Sequence, residues 1–174
     1  MKEKYFLYVG NAYPHKNLDV LLRAVSDMND VKLVLVGKDD YFYKRLKQTD
    51  TVKSLNGKII FKTNVSDAEL KTLYRNAQAF VFPSLMEGFG LPALEALANN
   101  CPVIVSDIPV FHEILKDSAI YFNPRSADDL AKILKNAAKY RPPVDSALLN
   151  YYSWQKMATE TLKIYETSTR VRSG

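Results

Sequence analysis

The sequence predicts an α/β protein built on a doubly wound parallel sheet of about six strands. Short apolar runs alternate along the chain with segments whose apolar residues recur at helical spacing, which is the pattern of βαβ units. The runs are almost continuously hydrophobic, so their strands are expected to be buried on both faces. With 174 residues, of which 47% are hydrophobic, the chain is long enough to bury a full core.

Six runs rich in Val, Ile, Phe and Tyr are the predicted strands. In chain order they are residues 4–9, 31–36, 58–61, 79–82, 103–105 and 119–121. Because each is short and is followed by a segment of helical periodicity, all six are expected to run parallel in one sheet.

Helical periodicity appears between the strands. The predicted helices include residues 18–25, 39–54, 70–77 and 130–137. Ser66 and Ser126 stand at N-cap positions ahead of two of them, and Pro92 fits the first position of a further helix. The polar stretch 48–50 obscures the end of the second helix.

The chain is expected to form one domain, 1–174, in which residues 141–174 are a tail appended to the sheet. A Pro-Pro pair at 142–143 breaks the pattern, and a helix is predicted from Ser153. One face of that helix carries Trp154, Met157, Ala158, Leu162 and Tyr165.

Composition excludes several classes of protein. The single cysteine, Cys101, allows no internal disulfide and suits a buried position in a reducing compartment. No apolar stretch is long enough to cross a bilayer, and no signal peptide precedes the first strand, so a cytoplasmic protein is expected. The net charge of +5 is spread along the chain. It does not imply nucleic acid binding, although a membrane-surface patch stays open.

Ligands of open parallel sheets bind beyond the carboxyl ends of the strands, so the loops after the strands are the places to search. The first loop runs from Gly10 to Asn17 and carries Lys16 just before a helix. Lys16 is either a cation for an anionic ligand or a solvated lysine. No second His or Cys lies near His15 at ligand spacing, so no metal site is predicted.

The strongest feature is the loop that contains Glu87, Gly88, Phe89 and Gly90 and leads into a helix containing Glu95. The free N–H groups and the dipole of a helix N-terminus suit a phosphate or diphosphate. A carboxylate accepts hydrogen bonds, so the two glutamates are predicted to bind sugar hydroxyls on either side of that diphosphate.

A third loop follows the strand at 103–105 and contains Asp107 and His112. Its polar groups lie at the correct end of the sheet, but no spacing among them dictates a reaction. Asp107 could equally cap the following turn or contact a ligand.

These motifs resemble the C-terminal domain of family 4 retaining glycosyltransferases, which have the GT-B fold. The resemblance covers nearly the whole chain, and its most specific part is Glu87 and Glu95, separated by seven residues, around a Gly-Phe-Gly-Leu-Pro core. Further matches are Val9-Gly10 with Lys16, Val36-Gly37, Val65-Ser66-Asp67, the run at 102–107, and Tyr152-Ser153-Trp154.

The resemblance implies the donor-binding half of an enzyme that transfers a hexose, of mannose or glucose type, from a nucleotide diphosphate sugar to an acceptor hydroxyl in glycan or polysaccharide biosynthesis. Glu87 would bind the transferred sugar, Glu95 the ribose, and Lys16 the diphosphate. The implied donor-binding residues are Gly10, Asn11, Lys16, Val65, Asp67, Glu87, Gly88, Phe89, Gly90, Leu91 and Glu95, of which Lys16 and Glu87 would be catalytic.

This chain departs from the family pattern at Asn11, where related enzymes usually carry an arginine. Loss of a cation weakens stabilisation of the departing diphosphate. Either another basic residue replaces it, such as Lys62 or one from the other half of the enzyme, or turnover is slow.

The resemblance implies no metal and no cofactor beyond the donor. The run Pro14-His15-Lys16-Asn17 is similar to mannosyltransferases that use GDP-mannose, which makes that donor the first choice and a UDP-hexose the second. An acceptor domain would precede this one, bind a glycan or lipid-linked acceptor, and receive the final helix. Alone, the chain is expected to bind donor and to be inactive. Peripheral association of the full enzyme with the inner membrane face is left open.

Two alternatives accompany this interpretation. A non-catalytic nucleotide-sugar-binding or partner subunit of a two-chain transferase is mildly favoured by Asn11. Another doubly wound protein is disfavoured, because Gly10 is not followed by the Gly-x-Gly-x-x-Gly turn of dinucleotide-binding oxidoreductases or by the acidic residues of a receiver module.

Overall fold

The computed structural model describes residues 4–29, 31–55, 57–139 and 146–171, with the side chains of residues 146, 154 and 168–171 excepted. The chain divides into two compact units, Met1–Val144 and Asp145–Gly174. Residues 140–145, where the predicted tail begins, lie outside the described residues.

The first unit contains a six-stranded parallel sheet in the order β3-β2-β1-β4-β5-β6. The strands are β1 (Tyr5–Val9), β2 (Lys32–Val36), β3 (Ile59–Lys62), β4 (Ala79–Phe82), β5 (Val103–Ser106) and β6 (Ile120–Phe122). The predicted doubly wound α/β class is confirmed, and each strand lies within one residue of its predicted start and end. The four central strands are almost completely buried, whereas the edge strands β3 and β6 are largely half-buried.

A helix or a pair of helices follows each strand. These helices are α1 (Leu18–Ser26), α2 (Tyr41–Lys47), α3 (Asp50–Ser54), α4 (Asp67–Asn76), α5 (Leu91–Ala98), α6 (Pro109–Leu115) and α7 (Ala127–Asn136). The predicted N-caps are present, because the Ser66 and Ser126 hydroxyls accept hydrogen bonds from the backbone N–H groups of Glu69 and Asp129. These caps begin α4 and α7, the helices that follow β3 and β6.

Two details differ from the sequence prediction. The segment predicted as one helix at residues 39–54 is two helices, because Thr49 adopts an extended conformation and its hydroxyl caps α3 by accepting from Val52 N–H. Pro92 is the second residue of α5, since the left-handed Gly90 is the N-cap and Leu91 comes first.

The second unit contains α8 (Ser146–Tyr151), which the sequence did not predict, and α9 (Trp154–Val171). The Ser153 hydroxyl accepts from Lys156 N–H and caps α9, so the predicted start is correct. Met157, Leu162 and Tyr165 are each more than half exposed. Within the described residues, no helix has the length and apolar character required to span a membrane.

Strand order fixes where a ligand can lie. From the boundary between β1 and β4, successive strands of the chain are added outward in opposite directions, β2 and β3 on one side and β5 and β6 on the other. The loops after β1 and β4 flank that boundary. In open α/β sheets this topological switch point is the usual ligand crevice. It brings together the first and second candidate loops, which are more than sixty residues apart in sequence.

Candidate functional site

The loops that follow β1 and β4 are bound directly to each other. The Leu85 N–H donates to the His15 carbonyl at 2.8 Å. Asn17, in a left-handed conformation, donates from Nδ2 to the carbonyls of Pro83 at 3.0 Å and Pro124 at 2.8 Å. Three carboxyl-end loops of the sheet are therefore fixed by backbone and amide contacts.

Lys16 and Glu87 form an ion pair across this junction. The Lys16 Nζ lies 2.6 Å from Glu87 Oε1, and the two side chains are only 13% and 11% exposed. The Ser84 hydroxyl, fully buried, donates to the same Oε1 at 2.6 Å. The Lys16 ammonium also lies 5.2 Å from the centre of the Phe82 ring, which adds a favourable cation–π contact.

This pairing leaves groups available on both partners. Oε1 of Glu87 receives two donors, whereas Oε2 has no hydrogen-bond partner among the described residues. An ammonium carries three N–H donors, and Lys16 uses one of them on Glu87. Within the described part of the chain, the pair therefore presents one carboxylate oxygen and two ammonium donors without partners, side by side.

The two glycines of the second loop, Gly88 and Gly90, differ in the space around them. Gly90 has φ of +95°, and a Cβ there would lie 2.8 Å from Cε1 of Phe111, so the fold itself requires glycine. A Cβ at Gly88 would meet nothing within 4 Å. Gly88 therefore borders open space, and the neighbouring side chains of Phe89 and Leu91 are exposed.

Glu95 lies on the exposed side of α5 and is held by a tyrosine. The buried Tyr74 of α4 donates its hydroxyl to Glu95 Oε2 at 3.1 Å. Burial, followed by the nearby Glu95 carboxylate, raises the pKa of Tyr74 above its usual value, so the phenol stays a donor. No contact joins Glu95 to the Lys16–Glu87 pair among the described residues.

Gly10 and Asn11 form the turn after β1. Their carbonyl oxygens accept hydrogen bonds from two buried tyrosines, Tyr43 at 2.9 Å and Tyr8 at 2.6 Å respectively. The Asn11 side chain accepts a long hydrogen bond of 3.4 Å from Tyr13 N–H. Asn11 thus contributes no charge to the site.

The remaining predicted residues lie after β3. Val65 is half-buried, and Asp67 is the exposed first residue of α4. Among the described residues neither contacts Lys16 or Glu87. Lys62, a candidate substitute for the missing arginine, pairs with Glu69 at 2.8 Å on the edge strand.

The third loop, which follows β5, contains a contact between a histidine and an aspartate. The Nε2 of His112 lies 2.6 Å from Oδ1 of Asp107, and the imidazole stacks on the Tyr121 ring with centroids 4.0 Å apart. Asp107 therefore does not cap α6, whose N-cap is Ile108. Across the part of the chain that is described, no three His, Cys, Asp or Glu side chains are grouped so as to hold a metal ion.

Residues 1–146 match the family model of the glycosyl transferases group 1. The chain belongs to this family. The predicted family resemblance, the GT-B fold and the Rossmann-like sheet are thereby confirmed.

Two relatives illustrate this group 1 membership. The O-antigen chain mannosyltransferase RfbU of Salmonella typhimurium is 43% identical over 152 residues, which are 86% of this chain and 42% of the relative. The serotype-specific mannosyltransferase WbdA of Escherichia coli is 34% identical over 166 residues, 91% of this chain and 20% of the relative. The chain thus spans less than half the length of these relatives.

Solved structures agree on the fold. Sucrose-phosphate synthase from Thermosynechococcus elongatus superposes with a TM-score of 0.84 at 25% identity, covering 98% of this chain and 46% of that one. A glycosyltransferase from Rickettsia africae gives a TM-score of 0.74 at 24% identity, covering 96% and 48%, and shows the fold alone.

Sequence reasoning missed the residues that hold this group 1 site together. Ser84, Tyr74, Tyr8 and Tyr43 each donate a hydroxyl to a predicted site residue. Ser84 could have been found from the sequence, because it precedes Glu87 by three residues in the same loop. The tyrosines lie on buried faces of strands and helices, where sequence periodicity marks them only as core.

Proposed function

We propose that the chain is the donor-binding domain of a hexosyltransferase of glycan biosynthesis that uses a nucleotide diphosphate sugar. The observation that carries the proposal is the Lys16–Glu87 pair, 2.6 Å apart at the topological switch point. A carboxylate oxygen and two ammonium donors that have no partner among the described residues lie side by side, and they match a ligand that carries hydroxyls next to an anion.

Lys16 would bind the diphosphate together with the N-terminus of α5. The backbone of Gly88, Phe89, Gly90 and Leu91 leads into that terminus. Pro92 has no N–H and the Ala93 N–H donates to the Gly90 carbonyl, so the N–H groups of Gly90 and Leu91, which have no acceptor among the described residues, would face the anion. Glycosyl transfer leaves negative charge on the departing diphosphate, and preorganised donors aimed at that charge lower the barrier.

Glu87 would bind hydroxyls of the transferred hexose through its free Oε2. Lys16 and Ser84 fix the carboxylate through Oε1, so little rotamer freedom is lost when the sugar binds. Glu95, fixed in the same way by Tyr74, would accept from the ribose of the nucleotide. Both carboxylates would then serve as hydroxyl acceptors, not as an acid/base pair.

The nucleobase would lie against the loop after β3, beside Val65 and Asp67. Val65 is half-buried and Asp67 opens α4, the helix that also carries Tyr74. One helix would therefore position groups for both the base and the ribose.

GDP-mannose is the proposed donor and a UDP-hexose the second choice, since both relatives described above are named as mannosyltransferases. The acceptor would be a glycan or lipid-linked glycan bound by a preceding domain, and residues 141–174 would pack on that domain. Alone, the chain would bind donor without transferring sugar.

Calorimetric titration of the chain with GDP-mannose and UDP-glucose tests the donor site. Glu87→Ala and Glu95→Ala should each weaken donor binding by at least about tenfold, the effect of losing a hydrogen bond to a charged group. Glu113→Ala removes an exposed glutamate from α6 and should leave binding unchanged. Undiminished binding in both site variants would overturn the assignment.

A non-catalytic partner subunit is the second candidate, and the uncharged Asn11 favours it. Mixing the chain with a separately produced acceptor half from a group 1 relative separates the two. Sugar transfer in the mixture supports the enzyme. Donor binding with no transfer, under conditions where the intact relative is active, supports the partner subunit.

A further inference from the structure

Two consecutive carbonyl groups in the turn after β1 are turned into the protein interior by buried phenols. Tyr8 of β1 donates its hydroxyl to the Asn11 carbonyl at 2.6 Å. Tyr43 of α2 donates to the Gly10 carbonyl at 2.9 Å. Both tyrosine side chains are fully buried, so both carbonyl oxygens point inward.

An inward carbonyl fixes the direction of the next N–H. In a trans peptide unit the C=O of one residue and the N–H of the next point in opposite directions, and no cis peptide occurs among the described residues. The Gly10 carbonyl therefore turns the Asn11 N–H away from the interior, and the Asn11 carbonyl does the same for the Ala12 N–H. Neither N–H has an acceptor within the described part of the chain.

Gly37 makes room for one of these bonds. A Cβ at Gly37 would lie 2.3 Å from the Gly10 carbonyl oxygen and 2.5 Å from the Tyr43 ring, so Gly37 makes the space in which Tyr43 reaches that carbonyl. Burial raises the pKa of Tyr8 and of Tyr43 well above the usual value, and both phenols keep their protons.

Half-buried N–H groups without acceptors are costly unless a ligand satisfies them. Successive outward N–H groups form an anion-binding concavity, and this one lies in the same loop as Lys16. The Asn11 side chain supplies no charge, so its contribution to anion binding in this loop would come from backbone N–H groups, beside the basic side chains of His15 and Lys16.

We propose that Tyr8 and Tyr43 are positioning residues that hold the Asn11 and Ala12 N–H groups toward the diphosphate of the donor. This rests on the proposed donor site. The two phenols contact no ligand themselves; they fix the turn in a donor-outward conformation before the ligand arrives. Preorganised backbone dipoles then provide part of the electrostatic stabilisation that a charged side chain at Asn11 would give.

The test is an NMR titration of the full chain with inorganic pyrophosphate. In the wild-type protein the amide resonances of Asn11 and Ala12 should shift saturably. In Tyr8→Phe and Tyr43→Phe, which keep the ring and remove the hydroxyl, the pyrophosphate dissociation constant should rise about fivefold, as expected for losing one hydrogen bond. Tyr5→Phe is the matched control, because it removes a phenol–carbonyl bond to Leu73 at the opposite end of β1.

Wild-type Asn11 and Ala12 resonances that stay fixed while pyrophosphate binds elsewhere would overturn the inference, and so would Tyr8 and Tyr43 variants with unchanged affinity. Superimposable spectra away from the loop show that a variant is folded. If a variant does not fold, the wild-type titration alone still tests whether the Asn11 and Ala12 amides respond to pyrophosphate. Parallel titrations with GDP-mannose and UDP-glucose separate the two proposals. Shifts with pyrophosphate but binding of neither donor would refute the donor assignment alone, whereas donor binding without amide shifts would refute the positioning role alone.

Discussion

The Lys16–Glu87 pair can be tested by a double-mutant cycle of Lys16→Met and Glu87→Gln. Each substitution keeps the shape of its side chain and removes its charge. Because both side chains are almost fully covered, each single variant leaves an uncompensated charge in a site that water reaches poorly. We expect each single variant to lose about 3 kcal/mol of unfolding free energy.

The size of the coupling follows from the geometry. At 2.6 Å and an effective dielectric constant of about 20, the Coulomb attraction is about 6 kcal/mol. Removing both ions from water costs several kcal/mol, which offsets most of that attraction. The Ser84 hydroxyl supplies a further hydrogen bond to Glu87 Oε1. The intact pair therefore stabilises the fold by about 2 kcal/mol net, which is what the double variant should lose. Since the two single variants together lose about 6 kcal/mol, the coupling is about 4 kcal/mol, well above the roughly 0.2–1 kcal/mol that double-mutant cycles give for exposed pairs.

Urea unfolding, monitored by far-UV circular dichroism, measures the unfolding free energy of the wild type, the two single variants and the double variant. The coupling should persist in about 1 M NaCl, because salt screens covered pairs far less than exposed ones. A coupling below about 0.5 kcal/mol, or one that high salt removes, would refute the description of this pair as a covered ion pair. The Lys53–Asp50 pair, whose side chains are exposed, is the matched control and should show a coupling that salt abolishes.

Three further results are expected. Gly90→Ala should lose about 1–3 kcal/mol of stability, because its φ is positive and a Cβ would meet a ring, whereas Gly88→Ala should stay within about 0.5 kcal/mol and weaken donor binding. Asn17→Ala should lose about 2 kcal/mol in urea unfolding, since two carbonyls lose their donor. Burial raises the pKa of Tyr5 and Tyr121 to about 12. Their unfolded-state pKa is about 10, so their stabilising contribution is complete below pH 10 and is lost as the pH rises to about 12, which a pH series of urea unfolding checks.

The fold was largely predictable because its signals are local. Each strand is a short apolar run between turn residues, and Ser66 and Ser126 sit where the cap chemistry requires them. The break between α2 and α3 was missed because Thr49 can either continue a helix or cap one. Local propensity does not distinguish these states, and the packing of the two short helices decides between them.

The site was predictable in its parts but not in its contacts. Sequence placed Lys16 and Glu87 at strand ends, and the strand order makes those ends neighbours. Whether the two side chains touch depends on loop conformation, which here is fixed by Asn17 and the backbone bond from Leu85 to His15. Such bonds join residues distant in sequence and leave no periodic signal.

Gly37 shows how a site residue can be understood only after its neighbours are known. In the sequence it is one more glycine at a strand end, consistent with a ligand approaching the backbone. In the structure the space beside it is filled by the Gly10 carbonyl and the Tyr43 ring. The glycine therefore admits a tyrosine instead of a ligand, and that tyrosine sets the direction of the loop. A side chain at Gly37 would displace Tyr43 and free the Gly10 carbonyl to turn outward, where it would repel the anion that the loop is proposed to bind.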